Sequence, residues 1–394
     1  MQQLHERPLN AWGVLQRKLC VTSIPSQIHL HWSPKWCHIR PVMFQASNPS
    51  ALHALALVAA VSLLGGCHQQ TGEATSVFHF DQAAIVDAKP WTSEAFNDDP
   101  ENFQFAVIGD RTGGADHRGI FQMAMAQLNL LQPEFVINVG DLIEGYSKDP
   151  AKLNAEWDEV DGMLSELEMP FFRTVGNHDM GNETMKQIWL RRNGPTYYHF
   201  VYRDALFLVL NSEDPPRPAP ENMEEDIELY NRLQKEDPEK AQAMLEGFMA
   251  AVASFLGKPA NFSDQQVTYV EETLAKHPEV RWTFVFLHEP AWKNPADNFL
   301  KIEQLMQDRS YTFIAGHLHY YEIEERFDRD YITMGPAGAS FHKNGPGNVD
   351  HILWVTMTDD GPRVAQITLD GIYDRGGRDL SIKEVYDRAR QEEQ

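Results

Sequence analysis

Five short segments close apolar runs with carboxylate, histidine or asparagine: "FAVIGDRTGG", "FVINVGDLIEG", "FFRTVGNHD", "FVFLHEP" and "FIAGHLH". They contribute Asp110, Asp141, Asn177, His178, His288, His317 and His319. Oxygen and imidazole donors in this mixture suit a pair of hard, positively charged metal ions, provided a rigid sheet holds them at its strand ends. A lone Gly-Asp or Gly-His pair would mean little, because glycine also serves ordinary turns. Five such segments in succession make a metal pair the reading of choice.

The elements that must position them follow from the pattern between the segments. "FQFAVIG" leads into the helical run "RGIFQMAMAQLNLL", which Pro133 ends; "EFVINVG", "AEWDEVDGMLSELE" and "PFFRTVG" come next. This βαβ rhythm predicts a sheet with helices outside it and functional loops at the C-terminal ends of its strands. Ser263 and Gln266 form a capping box with Phe262 and Val267 as its staple, which predicts a helix running to Lys276. "DYITMGP", "ILWVTMT" and "RVAQITL" read as strands without alternating helices, and the charged tail "LSIKEVYDRARQEEQ" as a terminal helix. Between these parts, residues 213–262 form a proline-rich loop and acidic amphipathic helices, longer than an ordinary connection. That insertion either covers the site or is a solvated excursion.

The order and spacing of the five segments, from Phe103 to Pro336, resemble the calcineurin-like metallophosphoesterases, and "DRTGG" is similar to a bacterial branch of that family. The resemblance implies an α/β fold, a four-layer αββα sandwich of two mixed sheets flanked by helices. In that fold the three late strands would form the second sheet. It also implies hydrolysis of phosphate esters by a metal-activated hydroxide at a dinuclear site of manganese, iron or zinc. By this resemblance Asp141 bridges, Asp110 and His319 hold the first ion, and Asn177, His288 and His317 hold the second. His178 matches the general acid and Glu144 the carboxylate that pairs with it, whereas Asp179 either stabilises the turn or takes part in catalysis. Arg111 is placed to clamp the phosphate, or else to pair with a surface acid. The convergence of His317 and His319 is expected from alternation along an extended strand end. One departure stands out: the family's Asp-x-His first segment has Thr112 in its third position, and a hydroxyl binds a divalent ion more weakly than imidazole. His117 either replaces the missing ligand or faces solvent. The alternative function is a catalytically weak phosphate- or metal-binding lipoprotein with an impaired first site.

Composition bounds the rest. With 394 residues, 42% of them apolar, the chain can bury a large α/β core. After Cys67 there are 29 basic against 56 acidic residues, a net charge of −27 that disfavours nucleic acid and anionic surfaces as partners. The run from Ala51 to Cys67 is too short to span a membrane and suits a signal-peptide core, and Leu64-Gly65-Gly66-Cys67 resembles a lipoprotein lipobox. Cys20, Cys37 and Cys67 are the chain's three cysteines, so a disulfide framework is excluded beyond residue 67. The expected organisation is an extension or long n-region over 1–42, a signal peptide over 43–66 and a tether over 67–101. A catalytic core over 102–345 and C-terminal elements over 346–394 complete it. Translation starts at Met1 or Met43. The expected product is an exported lipoprotein, anchored through a lipid on Cys67 to the periplasmic or extracellular face of a membrane.

Overall fold

The computed structural model describes residues 99–369 except 113–115, 117, 257 and 343–346, together with 92, 93, 96, 97 and 375. The expected signal peptide, Cys67, most of the expected tether, His117 and the expected terminal helix lie outside the described residues.

Two mixed sheets face each other. The first is five-stranded, with β1 (Phe103–Ile108), β2 (Val136–Asn138), β3 (Phe171–Phe172), β10 (His351–Thr358) and β11 (Gly361–Thr368) in the order β11-β10-β1-β2-β3. The second is six-stranded, with β4 (Tyr198–Tyr202), β5 (Ala205–Val209), β6 (Trp282–Phe286), β7 (Tyr311–Ala315), β8 (Glu322–Arg326) and β9 (Arg329–Thr333) in the order β4-β5-β6-β7-β9-β8. Helices α1 (Ile120–Leu131), α2 (Pro150–Leu164) and α3 (Glu183–Arg192) cover the first sheet; α6 (Asp264–Lys276) and α7 (Asp297–Leu305) cover the second. The result is the expected four-layer αββα sandwich. Its central strands, such as β5, β6 and β7, are largely apolar because both of their faces are buried. In β1, Phe103, Phe105 and Val107 enter the core between the sheets, while Ala106 and Ile108 meet the helices. In β5, Phe207 and Val209 face inward, and Leu206 and Leu208 pack under α6 and α7. The ring of Phe105 lies 5.0–5.3 Å from those of Phe135, Phe207 and Phe284, so both sheets share one aromatic centre. Burying each such side chain stabilises the fold by about 1.5–3 kcal/mol.

Two expectations are corrected here. The late strands do not form the second sheet together: β9 joins it, but β10 pairs antiparallel with β1 and carries β11 on the first sheet. Ser263 does cap α6, accepting from the Gln266 N–H, yet the Gln266 side chain does not return to the cap. It bonds both N–H and C=O of Asn211 instead, pinning the exit of β5 to the helix.

The insertion holds α4 (Met223–Glu236) and α5 (Pro238–Leu256). It leaves and returns at one point, where Asn261 N–H donates to Ser212 O and Asp214 N–H to Asn261 O, at 2.8 and 3.1 Å.

At the start of β10, His351 is fully buried between Gln366, 3.0 Å from Nδ1, and the Gly335 N–H, which donates to Nε2 at 3.2 Å. Only the neutral ring fits both partners, and burial pushes its pKa from 6.5 down to about 4. Between those values the unfolded chain binds a proton that the folded chain refuses. The stability this residue supports is therefore intact above pH 6.5 and declines by about 3 kcal/mol as pH falls toward 4. Denaturant unfolding at pH 7 and 4.5 should show that decline in the wild type and less of it in His351→Gln. Identical declines would clear His351 of the effect.

Candidate metal centre

Each of the five segments leaves the C-terminal end of a parallel strand, and the ends converge between the two sheets. Asp110 follows β1, Asp141 follows β2, Asn177 and His178 follow β3, His288 follows β6, and His317 and His319 follow β7. Contacts cross the gap between the sheets: His317 N–H donates to Asp110 Oδ1 at 3.0 Å, and His288 Nδ1 to the Val139 carbonyl at 2.8 Å. A carbonyl only accepts, so Nδ1 of His288 carries a proton and Nε2 is presented to the site. That Nε2 lies 3.1 Å from Asp141 Oδ2, 2.8 Å from Asn177 Oδ1 and 3.1 Å from His317 Nδ1. Ser340 O fixes His319 by the same logic through Nδ1.

The donors fall into two groups. Asp141, His288 and His317 offer ligand atoms within 4.8 Å of one another, as do Asp110, Asp141 and His319, so Asp141 belongs to both. Asp110 Oδ2 is buried with no hydrogen-bond partner among the described residues, a costly state for a carboxylate that a cation would relieve. Protons take a cation's place in the electrostatics. Burial alone would lower the His288 pKa, but Asp141 and Asp110 outweigh it and push it up to about 10. Burial would likewise raise Asp141, yet His288, His178 and His317 hold it well below the usual carboxylate range. His317 goes the other way, pushed well below 6.5 by burial and by its neighbour His288.

Local backbone explains the motif residues between the ligands. A Cβ on Gly176 would sit 2.2 Å from Asp141 Oδ1, and one on Gly316 would sit 2.4 Å from Asp110 Oδ2, so a side chain at either position would displace a candidate ligand. Asp141, His317 and His319 have φ of 57°, 70° and 53°. The two histidines therefore converge through a left-handed turn and not, as expected, by alternation along an extended strand. Such strained residues persist only where their surroundings hold them. Asp179 helps to do so, accepting the N–H groups of Asp141, Leu142, Ile143 and Gly176. This is the turn-stabilising alternative.

His178 lies at the pocket wall with Nδ1 2.8 Å from a main-chain oxygen, that of Glu144, and its own N–H donates to Asp141 Oδ1 at 2.9 Å. The Glu144 carbonyl thus orients the ring. The Glu144 carboxylate acts through its charge. Burial lowers the His178 pKa, but Asp141 and Glu144 outweigh it and the pKa is raised. Arg111 is also corrected. Its guanidinium donates to Leu142 O and pairs with Glu159, and it does not line the pocket, so a phosphate clamp has no support. The Thr112 hydroxyl donates to Asp141 O at 3.0 Å, bracing the loop.

Sequence reading missed four neighbours. Tyr146 Oη accepts from Asn177 Nδ2 at 2.8 Å, turning Asn177 Oδ1 toward His288, and its ring meets the His178 ring edge-on. His342 stacks on His319 at 3.8 Å between centroids, and both line the pocket. Buried Arg217 pairs with Glu213 and Glu289. Tyr230, from the insertion, reaches the Ser340 hydroxyl at 2.7 Å. Only Tyr146 had a sequence signal, five residues beyond Asp141 in "GDLIEGY".

A four-layer sandwich whose two sheets aim carboxylate, amide and imidazole donors at one point has the architecture of a metal-dependent phosphoesterase. The chain belongs to the calcineurin-like phosphoesterase family, whose model matches residues 103–321. Comparison with curated proteins gave no match. Among solved structures it is similar to a dimetal phosphatase from Danio rerio, at 16% identity and a TM-score of 0.46, over 68% of this chain and 99% of that one. It is also similar to GAP50, the anchor in the inner membrane complex of Plasmodium, at 15% identity and a TM-score of 0.40, over 70% and 86%.

Proposed function

We propose that this chain hydrolyses phosphate esters at a dinuclear centre of manganese, iron or zinc. Asp110, Asp141 and His319 would hold one ion, and Asp141, Asn177, His288 and His317 the other. The observation that carries this reading is the pair of donor groups sharing Asp141. Bound ions would supply Lewis acidity toward phosphoryl oxygen and activate water near neutral pH. The remaining chemistry belongs to the chain. His178, its Nδ1 fixed on a carbonyl, turns Nε2 to the pocket as proton donor to the departing alcohol. Tyr146 orients Asn177, and Ser340 and Val139 set the tautomers of His319 and His288.

One observation favours a second reading, a weakly catalytic metal- or phosphate-binding protein. Thr112 spends its hydroxyl on Asp141 O and adds no ligand to the first ion. Elemental analysis of purified protein, joined to a panel of phosphate esters assayed with each metal, separates the two. Two ions per chain with turnover supports the enzyme. One ion or none, without turnover, supports the binder.

Anchoring is proposed on the sequence of Leu64 to Cys67 and the thiol-free remainder. In a bacterial host given labelled fatty acid, wild type should take up label and Cys67→Ala should not. Equal labelling would refute the anchor.

A further inference from the structure

We infer that the helical insertion selects phosphate esters whose alcohol is apolar and carries no further negative charge; this rests on the hydrolase reading above. Beside the candidate metal ligands lies an open pocket. The core supplies its polar floor with Asp141, Asn177, His178, His317 and His319. The insertion supplies a different wall: Met223, Ile227 and Tyr230 from α4, with Met244 and Leu245 from α5. Met223, Ile227 and Tyr230 recur at the spacing of one helical face, so α4 turns an apolar stripe toward the floor.

That wall is held in place. Lys152 of α2 pairs with Glu224 and Glu228 at 3.0 and 2.6 Å, tying the outer side of α4 to the core. Tyr230 Oη and Gln234 Nε2 both reach Ser340 Oγ at 2.7 Å, tying α4 to the loop that orients His319. An apolar surface so placed meets whatever is bonded to a phosphorus atom held at the floor.

Charge argues the same way. Among the described residues that line the pocket there is no Lys or Arg, whereas Glu144 and Asp226 bring carboxylates to it. The nearby guanidinium groups are committed, Arg217 to Glu213 and Glu289 and Arg111 to Glu159. A second phosphate or a carboxylate on the alcohol, beside the insertion, would meet the repelling carboxylates of Glu144 and Asp226 with no Lys or Arg among the described lining residues to offset them. A hydrocarbon chain would leave water for the α4 and α5 side chains, a gain of about three- to fourfold in binding per buried methylene.

The test uses the manganese-loaded full chain and primary alkyl phosphates from ethyl to hexyl, with glycerol phosphate for comparison. kcat/KM should climb about threefold or more per methylene, and glycerol phosphate should fall at least about tenfold below propyl phosphate. In Ile227→Ser, and independently in Leu245→Ser, the hexyl-to-ethyl ratio should drop about tenfold. A ratio near one in the wild type, or a preference for glycerol phosphate, overturns the inference. If no ester is turned over, the hydrolase reading fails by itself, and calorimetry with ethyl- and hexylphosphonate then decides the inference. Tighter binding of the hexyl compound upholds it; equal or absent binding of both overturns it.

Discussion

Asp141→Asn is expected to strip the protein of both ions and to depress phosphate-ester turnover by ~10³-fold or more, since several kcal/mol of charge stabilisation leave with them. The effect is larger than for any other single ligand because Asp141 alone stands in both donor groups. Its Oδ2 lies 3.1 Å from His288 Nε2, and its Oδ1 already takes the His178 N–H. An amide in its place would keep shape but lose the charge that draws two cations together. The fold should survive, because asparagine tolerates the φ of 57° as aspartate does. The loop is moreover fixed by Asp179 through main-chain N–H groups that the substitution leaves untouched. His319→Ala should release mainly the ion held with Asp110, and His317→Ala mainly the ion held with His288. Elemental analysis beside a thermal melt checks all three variants. Full metal content and activity in Asp141→Asn would overturn the bridging assignment.

The segments that build this centre were legible because each pairs an unbroken apolar strand with a polar residue that such a strand cannot bury for packing alone. The strands β1, β6 and β7 are mostly apolar and largely buried, and the chemistry starts where they stop. Sheet membership was less visible. "DYITMGP" and "ILWVTMT" look alike as sequence, yet β9 pairs parallel with β7 while β10 pairs antiparallel with β1, and partner choice depends on contacts far along the chain. The β4–β5 hairpin was hidden for a related reason. Its two-residue turn is Arg203-Asp204, both at positive φ, where glycine or asparagine would have signalled the bend. Arg111 misled because a guanidinium beside a ligand reads as a clamp. In three dimensions Glu159 of α2 reaches it first. Nor does spacing reveal which oxygen of Glu144 meets His178, since the carbonyl and the carboxylate belong to one residue.

That distinction shapes the outcome expected at His178. Proton donation matters most when the leaving alcohol is a poor one and little when it is an acidic phenol that departs unassisted. His178→Ala should therefore lower turnover of alkyl phosphates by ~10²–10⁴-fold while nitrophenyl esters are relatively spared. Metal content should stay at the wild-type value, because in the structure the ring bonds a carbonyl and lies outside both donor groups. Glu144→Gln makes the complementary case. It keeps the carbonyl that orients the ring and removes one of the two carboxylate charges that raise the His178 pKa. A donor works while protonated, so a lowered pKa moves the alkaline limb of the alkyl-phosphate pH profile to lower pH, with the maximal rate largely kept. If both leaving groups lose rate equally in His178→Ala, the ring positions phosphate and is no proton donor. If that variant loses metal, His178 is a ligand and its role as an acid must be withdrawn.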